Sequence, residues 1–156
     1  MKYAYSPTRF DRWAIRVSDL MTRNPSSIRA DATIREAISL LVTKRVTAAP
    51  VINAAGRPIG VLSLSDLITG VRDHDVDGDE LLSMQAEEVM TPFVFSVDLN
   101  TPVNAVVGEL LDARIRQIYV ADKEGTLIGV LSTVDLLKSL RGVADDTPCD
   151  AGTTAA

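Results

Sequence analysis

The stretch that decides the fold occurs twice in this chain. Ile59–Leu67 reads IGVLSLSDL and Ile128–Leu136 reads IGVLSTVDL. At the offset that superposes Met21 on Met90, the two phrases align without a gap, and each of these methionines is followed by threonine. Agreement concentrated at glycine, aspartate and apolar positions indicates an internal duplication. The chain therefore contains two copies of one supersecondary unit.

Each copy has the same predicted order of elements. A short extended piece precedes a helix, whose apolar residues in the first copy, Ile34, Ala37, Ile38 and Leu41, recur at the spacing of an amphipathic helix. Two β runs around a glycine turn then predict a hairpin, and a second helix closes the unit. A β-α-β-β-α unit of about 50 residues is marginal alone. We therefore predict one α+β body in which two such repeats pack with pseudo-twofold symmetry.

Changes in composition divide the chain into five parts. We predict an N-terminal arm (1–16), a first repeat (17–72), an acidic linker (73–85), a second repeat (86–141) and a disordered tail (142–156). Within the arm, Trp13 is expected to anchor the segment on its own body or on a partner chain.

Composition limits the classes of function. The chain has 156 residues, of which 46% are hydrophobic, so a core is affordable, and its net charge of −5 argues against general nucleic-acid binding. One cysteine and one histidine exclude a disulfide framework, a thiolate metal cluster and a Ser-His-Asp or Cys-His catalytic set. No apolar run approaches the ~20 residues of a membrane span. We expect a cytoplasmic protein that is not an enzyme and that binds neither membranes nor metal.

The motifs resemble those of the cystathionine β-synthase (CBS) domain family, arranged as the tandem pair often called a Bateman module. The resemblance covers roughly residues 17–140 and rests on VSDLMT and EEVMT, on VTAAPVIN and IRQIYVAD, and on the two IGVLS phrases. It implies a regulatory module that binds an adenosine-containing ligand (AMP, ADP, ATP or S-adenosylmethionine) in clefts between the repeats. It also implies a homodimer and an unidentified regulated protein as partner.

The polar residues of the first phrase admit two interpretations. Ser63 and Ser65 alternate along a strand, so their hydroxyls can face the same way, and Asp66 is a good acceptor for two vicinal ribose hydroxyls. Serine and aspartate at a helix start are also ordinary caps, which stability alone explains. Both interpretations remain open from the residues themselves.

The resemblance implies roles for further residues of the first cleft. It places ribose at Asp66, phosphate at Ser63 and Ser65, and adenine near Ser27, Ile28, Ala49 and Pro50. A bound phosphate needs a cation. Arg116, which with Gln117 comes just before the second hairpin and opposite Thr47, is the best candidate, followed by Arg114 and Lys44.

The second copy departs from this pattern. Val134 replaces the second serine, and Tyr119 stands where the first copy has proline, so its ring is expected to fill the adenine slot. Ser132 and Asp135 remain, which predicts a weaker, differently selective or empty second cleft.

The linker briefly resembles a calcium-binding loop. Asp73, Asp75, Asp77 and Gly78 fit positions one, three, five and six of an EF-hand, but Met84 occupies position twelve, where glutamate is needed. We interpret this stretch as a solvated acidic linker, with weak divalent binding as a minor hypothesis.

The main alternative to a nucleotide sensor is a ligand-free oligomerisation scaffold whose serine and aspartate residues only cap helices.

Overall fold

The computed structural model describes residues 15–140. The predictions for the N-terminal arm with Trp13 and for the tail therefore lie almost wholly outside the described residues, which include only the last two positions of the arm.

Helices and strands alternate through the described chain. The helices are α1 (Val17–Leu20), α2 (Ile34–Lys44), α3 (Leu64–Asp73), α4 (Gly78–Ser83), α5 (Ala86–Val89), α6 (Val103–Asp112) and α7 (Thr133–Leu140). The strands are β1 (Thr22–Arg23), β2 (Ile28–Arg29), β3 (Ala48–Ile52), β4 (Pro58–Ser63), β5 (Ser96–Asp98), β6 (Gln117–Ala121) and β7 (Leu127–Ser132). The predicted β-α-β-β-α order is present in both copies, which confirms the α+β fold class.

The two copies build separate sheets with the same internal pairing. One sheet has the strand order β2-β3-β4 and the other β1-β7-β6-β5. In each copy the first strand runs parallel to the second, and the hairpin strands are antiparallel. The extra strand β1 lies antiparallel to β7 of the second copy, although in the chain it stands at the start of the first repeat (17–72).

The short segments that precede each copy are exchanged between them. The first crossing segment, α1 and β1 (residues 17–23), pairs Thr22 with Val130 of the second copy. The second crossing segment, α5 and the residues up to Thr91, packs on the first copy, where the backbone amides of Val61 and Thr91 donate to each other's carbonyl oxygens at 3.0 and 2.9 Å. Each repeat is therefore completed by chain that precedes the other one.

The hydrophobic cores follow the same exchange. The core of the first copy combines α2, β3 and β4 residues such as Leu41 and Leu62 with Ala86 and Val89 of the second crossing segment. The core of the second copy is built around Leu131 and its neighbours. It takes in Val17, which is fully buried. Apolar burial therefore ties each crossing segment to the opposite copy.

The glycine that recurs in each IGVLS phrase lies under a crossing segment. A Cβ atom at Gly60 would lie 2.7 Å from the Thr91 carbonyl oxygen and closer still to the Met90 sulfur. At Gly129 the matching distance, to the Thr22 carbonyl oxygen, would be 3.2 Å. Only a residue without a side chain allows the crossing backbone to approach this closely.

The two hairpin turns meet at the end of the strands opposite to the helix starts. In each turn a side-chain oxygen, of Asn53 or Asp122, accepts two backbone amides. The Leu127 amide then donates to the Gly56 carbonyl oxygen at 3.0 Å, which joins one copy to the other. Gly56 has a φ of 75°, a left-handed conformation that favours glycine.

The acidic linker contains a short helix that the sequence analysis did not anticipate. Asp77 caps α4 by accepting the Glu80 amide at 2.8 Å. Leu81 is buried against the first core, while the neighbouring carboxylates stay exposed. Leu81, together with the partly buried Val76, Leu82 and Met84, fixes the linker to the first core. Among residues 15–140, no helix has the length and apolar character required to cross a bilayer.

We predict that Gly60→Ala lowers the free energy of unfolding by about 1–3 kcal/mol, the usual cost of overpacking. Gly129→Ala should cost less, because there the crossing carbonyl leaves more room. Urea denaturation of both variants measures the difference.

Gly108→Ala is the matched control, because Gly108 lies inside α6 and a Cβ atom there would meet nothing within 4 Å. Alanine is the better helix former, so this variant should gain about 0.5–1 kcal/mol. Equal stability of all three variants would refute the proposed role of the glycines.

Candidate functional site

A cleft of about 580 Å³ opens between the two copies, at the end of the strands where α3 and α7 begin. It is lined by Arg45, Val46, Thr47, Ala48, Val61, Ser63, Asp66, Thr91, Phe93, Phe95, Ile115, Arg116, Gln117, Tyr119, Ser132, Thr133 and Val134. Both copies contribute, so a ligand in this cleft would contact both repeats at once.

Among residues 15–140, Asp66 is the only carboxylate that lines this cleft. Its Oδ2 atom accepts the Ser63 amide at 2.7 Å and the Ser63 hydroxyl at 2.6 Å, while the Asp66 amide donates back to Ser63 Oγ at 3.3 Å. Its Oδ1 atom accepts the Thr91 hydroxyl at 2.9 Å. Asp66 therefore completes the capping box that Ser63 begins at the start of α3, and it is also hydrogen-bonded to the second crossing segment.

The second copy has the same capping box, but among the described residues it lacks the hydrogen bond from the crossing segment to the aspartate. Ser132 and Asp135 form the same reciprocal bonds, at 2.8 Å from both the amide and the hydroxyl of Ser132. Thr22 is the counterpart of Thr91, yet within residues 15–140 it forms no side-chain hydrogen bond to Asp135. Ser132 lines the cleft and Asp135 does not. The two carboxylates therefore differ in environment although their caps match.

Ser65 lies outside the cleft. Strand β4 ends at Ser63 and α3 begins at Leu64, so the alternation of a strand stops before Ser65 is reached. Its side chain is exposed on the helix, whereas Val134, its counterpart in the second copy, lines the cleft. The pair of hydroxyls that the sequence analysis expects on one face is thus not assembled.

Two arginines line the cleft, one from each copy. Arg45 ends α2 in the left-handed conformation, with a φ of 54°, and Arg116 precedes β6. Both are exposed, and within the described part of the chain neither guanidinium forms a salt bridge. Their positive charges are therefore available to an anion.

The first backbone amides of helices α3 and α7 are already paired within the protein. The first amide of α3, on Leu64, donates to the Thr47 carbonyl oxygen, and that of α7, on Thr133, donates to the Arg116 carbonyl oxygen. The Ser63 hydroxyl is engaged by Asp66. These three groups are therefore engaged, whereas the two arginine side chains form no salt bridge within residues 15–140.

Aromatic side chains form one wall. Phe93 and Phe95 stand edge to face, with ring centroids 4.7 Å apart, and Phe93 is 58% exposed. Tyr119 is buried, and Gln117 Nε2 donates to its hydroxyl. Burial raises the pKa of Tyr119 to about 12, although the Gln117 hydrogen bond opposes this, so the phenol is neutral at physiological pH.

Only some of the residues that the sequence analysis assigned to the first cleft line the observed cleft. Thr47, Ser63, Asp66, Arg116 and Gln117 come together in it, whereas Ser27, Ile28, Ala49 and Pro50 do not line it. Of the residues assigned to the second cleft, Tyr119 and Ser132 share the cleft with Asp66. Ligand contacts of all these residues stay predictions.

Three residues of the second crossing segment and its continuation were missed by sequence reasoning: Thr91, Phe93 and Phe95. The repeated MT pair was a usable signal, because it marks Thr91 as part of the duplicated frame. The sequence did not show that this segment crosses to the other copy. The adenine contacts expected at Ser27, Ile28, Ala49 and Pro50 stay a prediction.

The aspartates of the acidic linker are not arranged as the ligands of a metal ion. Within residues 15–140, no group of three or more histidine, cysteine, aspartate or glutamate side chains is arranged to hold a metal ion. Asp73 pairs with Arg72 at 2.9 Å, and Asp77 caps α4.

Comparison with known proteins identifies relatives that share this architecture. The crystal structure of CBSX2 in complex with AMP superposes with a TM-score of 0.70 at 26% identity, covering 81% of this chain and 96% of that one. The CBSX2 sequence, a chloroplastic CBS domain-containing protein of Arabidopsis thaliana, is 28% identical over 156 residues, covering 84% of this chain and 66% of the relative.

Protein MJ1004 of Methanocaldococcus jannaschii is a second relative. Its sequence is 28% identical over 127 residues, covering 81% of this chain and 56% of the relative. Its crystal structure has a TM-score of 0.73 at 25% identity and covers 82% of this chain and 60% of that one.

Other relatives are much longer than this chain. A homoserine O-acetyltransferase from Methanococcus vannielii is 23% identical over 125 residues, which are 80% of this chain but 24% of that protein. The chain spans between 24% and 56% of the length of three curated relatives that it matches.

The family model described as "CBS domain" matches twice, at residues 17–73 and 86–142. Those two segments are the two repeats of the fold, each with the crossing segment that precedes it. The chain belongs to the CBS domain family and contains a pair of CBS domains.

Proposed function

We propose that this chain is a sensor module that binds an adenosine nucleotide (AMP, ADP or ATP) in the cleft beside Asp66. The observation that carries the proposal is the arrangement of opposite charges in one cleft shared by both repeats. Asp66 offers an acceptor for a sugar hydroxyl, and Arg45 and Arg116, which form no salt bridge within residues 15–140, offer cations for phosphate. A CBS domain pair is a regulatory module, and a relative of 26% identity has been solved with AMP.

Regulation would follow from the position of the ligand. A nucleotide that contacts both repeats favours whichever packing of the repeats, or of two chains, binds it better. A regulated partner protein then meets a changed population of conformations. The identity of that partner and the expected cytoplasmic location stay predictions.

A thermal-shift screen against AMP, ADP, ATP, NAD and S-adenosylmethionine tests the function. A specific ligand at about 100 times its dissociation constant should stabilise the folded chain by about 2.7 kcal/mol. Absence of a shift with every compound would favour the alternative of a ligand-free scaffold. The complete capping boxes at Ser63–Asp66 and Ser132–Asp135 support that alternative, because capping alone explains those residues.

Assembly into a twofold homodimer is part of the proposal. Helix α3 exposes Leu64, Ile68 and Val71 at the spacing of one helix face, and Leu137 of α7 occupies the position equivalent to Ile68. Ile68 is 76% exposed and Leu137 is 60% exposed, and a second copy would remove this apolar surface from water.

Light scattering at micromolar concentration should give the mass of a dimer, and Ile68→Lys should shift it towards the monomer. The charged variant places a lysine where apolar contact is expected. Glu124→Lys, at an exposed hairpin turn, is the control and should leave the mass unchanged. A monomer mass for the unmodified chain, with and without nucleotide, would contradict the proposed dimer.

We predict that Asp66→Ala weakens AMP binding by about 1.5–3 kcal/mol, because a charged acceptor for the ribose is lost. Asp135→Ala is a matched control, since it removes the same kind of helix cap, worth about 0.5–2 kcal/mol of stability, from a carboxylate that does not line the cleft. Calorimetric titration of both variants decides the matter. An equal or larger loss at Asp135 would show that the wrong cleft has been chosen.

Arg116→Ala should weaken AMP binding while leaving adenosine binding nearly unchanged. Its guanidinium would contact phosphate rather than base or sugar, and a charge-assisted hydrogen bond is worth about 1.5–3 kcal/mol. Parallel titrations with AMP and adenosine separate the two effects. Unchanged AMP affinity would remove Arg116 from the site, and equal losses for both ligands would indicate a structural role.

A further inference from the structure

The side chain of Thr91 joins two parts of the site that the sequence keeps far apart. Thr91 ends the second crossing segment, and its hydroxyl donates to Asp66 Oδ1 at 2.9 Å. Both residues line the cleft. Because the threonine hydroxyl is exposed at this point, a ligand that reaches Asp66 also reaches Thr91.

Most acceptor sites of the Asp66 carboxylate are already occupied. A carboxylate has about four acceptor sites, two on each oxygen. Oδ2 already accepts two hydrogen bonds from Ser63, and Oδ1 accepts one from Thr91. One acceptor site remains on Oδ1, whereas a vicinal diol presents two hydroxyl donors.

Thr91 can supply the missing acceptor. A hydroxyl group has one donor and two acceptor lone pairs, and the donor of Thr91 is directed at Asp66. Within residues 15–140 no group donates to the Thr91 oxygen, which can therefore accept a hydrogen bond. The two oxygens, Asp66 Oδ1 and Thr91 Oγ1, lie 2.9 Å apart, a spacing comparable to that of the two oxygens of a vicinal diol.

We propose that Thr91 and Asp66 together select a ribose over a deoxyribose, each accepting one of the two neighbouring sugar hydroxyls. The inference rests on the proposed nucleotide function and adds a specificity-determining residue to it. The carboxylate receives one hydroxyl on its remaining acceptor site, and the threonine oxygen receives the other. The hydrogen bond between the two residues orients both and does not have to break.

The second copy provides an internal control for this arrangement. Thr22 occupies the position equivalent to Thr91 and pairs through its backbone with β7 in the same way. Within residues 15–140 its side chain forms no hydrogen bond to Asp135, and neither residue lines the cleft. Thr22→Val therefore reproduces the loss of a hydroxyl in a crossing segment without touching the proposed site.

The test compares AMP, 2′-deoxy-AMP and 3′-deoxy-AMP by calorimetry on the full chain. The unmodified protein should bind each deoxy compound about tenfold more weakly than AMP, since each lacks one of the two hydrogen bonds. In Thr91→Val, AMP should bind about tenfold more weakly, and so should one of the deoxy compounds. The other deoxy compound, which already lacks the hydroxyl that Thr91 accepts, should bind unchanged.

Two further variants separate recognition from support of the fold. Thr91→Ser keeps the hydroxyl and should restore the affinity and selectivity of the unmodified chain. Thr22→Val should bind all three compounds normally. A denaturation curve for each variant shows whether the fold is retained.

The remaining outcomes would refute either the recognition of the diol by Thr91 or the proposed nucleotide function. Equal losses for all three compounds in Thr91→Val, or no loss, would refute diol recognition by Thr91 and leave the nucleotide site intact. Equal affinity of the unmodified protein for AMP and either deoxy compound would refute it without any variant. No binding of any compound by the unmodified protein would refute the proposed function itself, and the selectivity with it.

Discussion

The pairing of backbone between Val61 and Thr91 is the interaction on which the rest of the structure depends. It requires Gly60, because the crossing chain passes where a side chain would otherwise stand. It draws α5 into the first core and delivers Thr91 to Asp66. The residues that follow, Phe93 and Phe95, then form a wall of the cleft. One crossing of the chain thus determines both the packing of the repeat and the composition of its site.

The elements of the fold were predictable because their signals are local. The amphipathic spacing of α2, its capping box between Thr33 and Glu36, and the paired β runs around glycine all appear in the structure where the sequence indicates them. The duplication extended each conclusion to the second copy. The exchange of crossing segments was not predictable in this way, since Val17 and Ala86 carry no mark of the sheet against which they pack.

The site shows the same division between local and long-range information. The reciprocal bonds of Ser63 and Asp66 follow from a motif of four consecutive residues, and that motif predicted a cap. The position of Ser65 depends on where a strand becomes a helix, a boundary that periodicity defines only to within a residue or two. Which aromatic residues face Asp66 depends on a contact between the two copies. The sequence contains the residues on both sides of that contact, but it does not indicate which of them meet.

The exchanged segments also bear on how this chain acquires its structure. Val17 belongs to a core whose other members start at Val103 and include Leu136, so its burial waits until the second repeat has been synthesised. During translation at about 5–20 residues per second, α1 therefore remains without its docking surface for several seconds. The first repeat, by contrast, needs only the chain as far as Val89 to complete its core. Ribosomal synthesis should accordingly yield a first repeat that closes early and a second that closes only when a much earlier segment returns to it, with the slower loop closure that such a sequence separation entails.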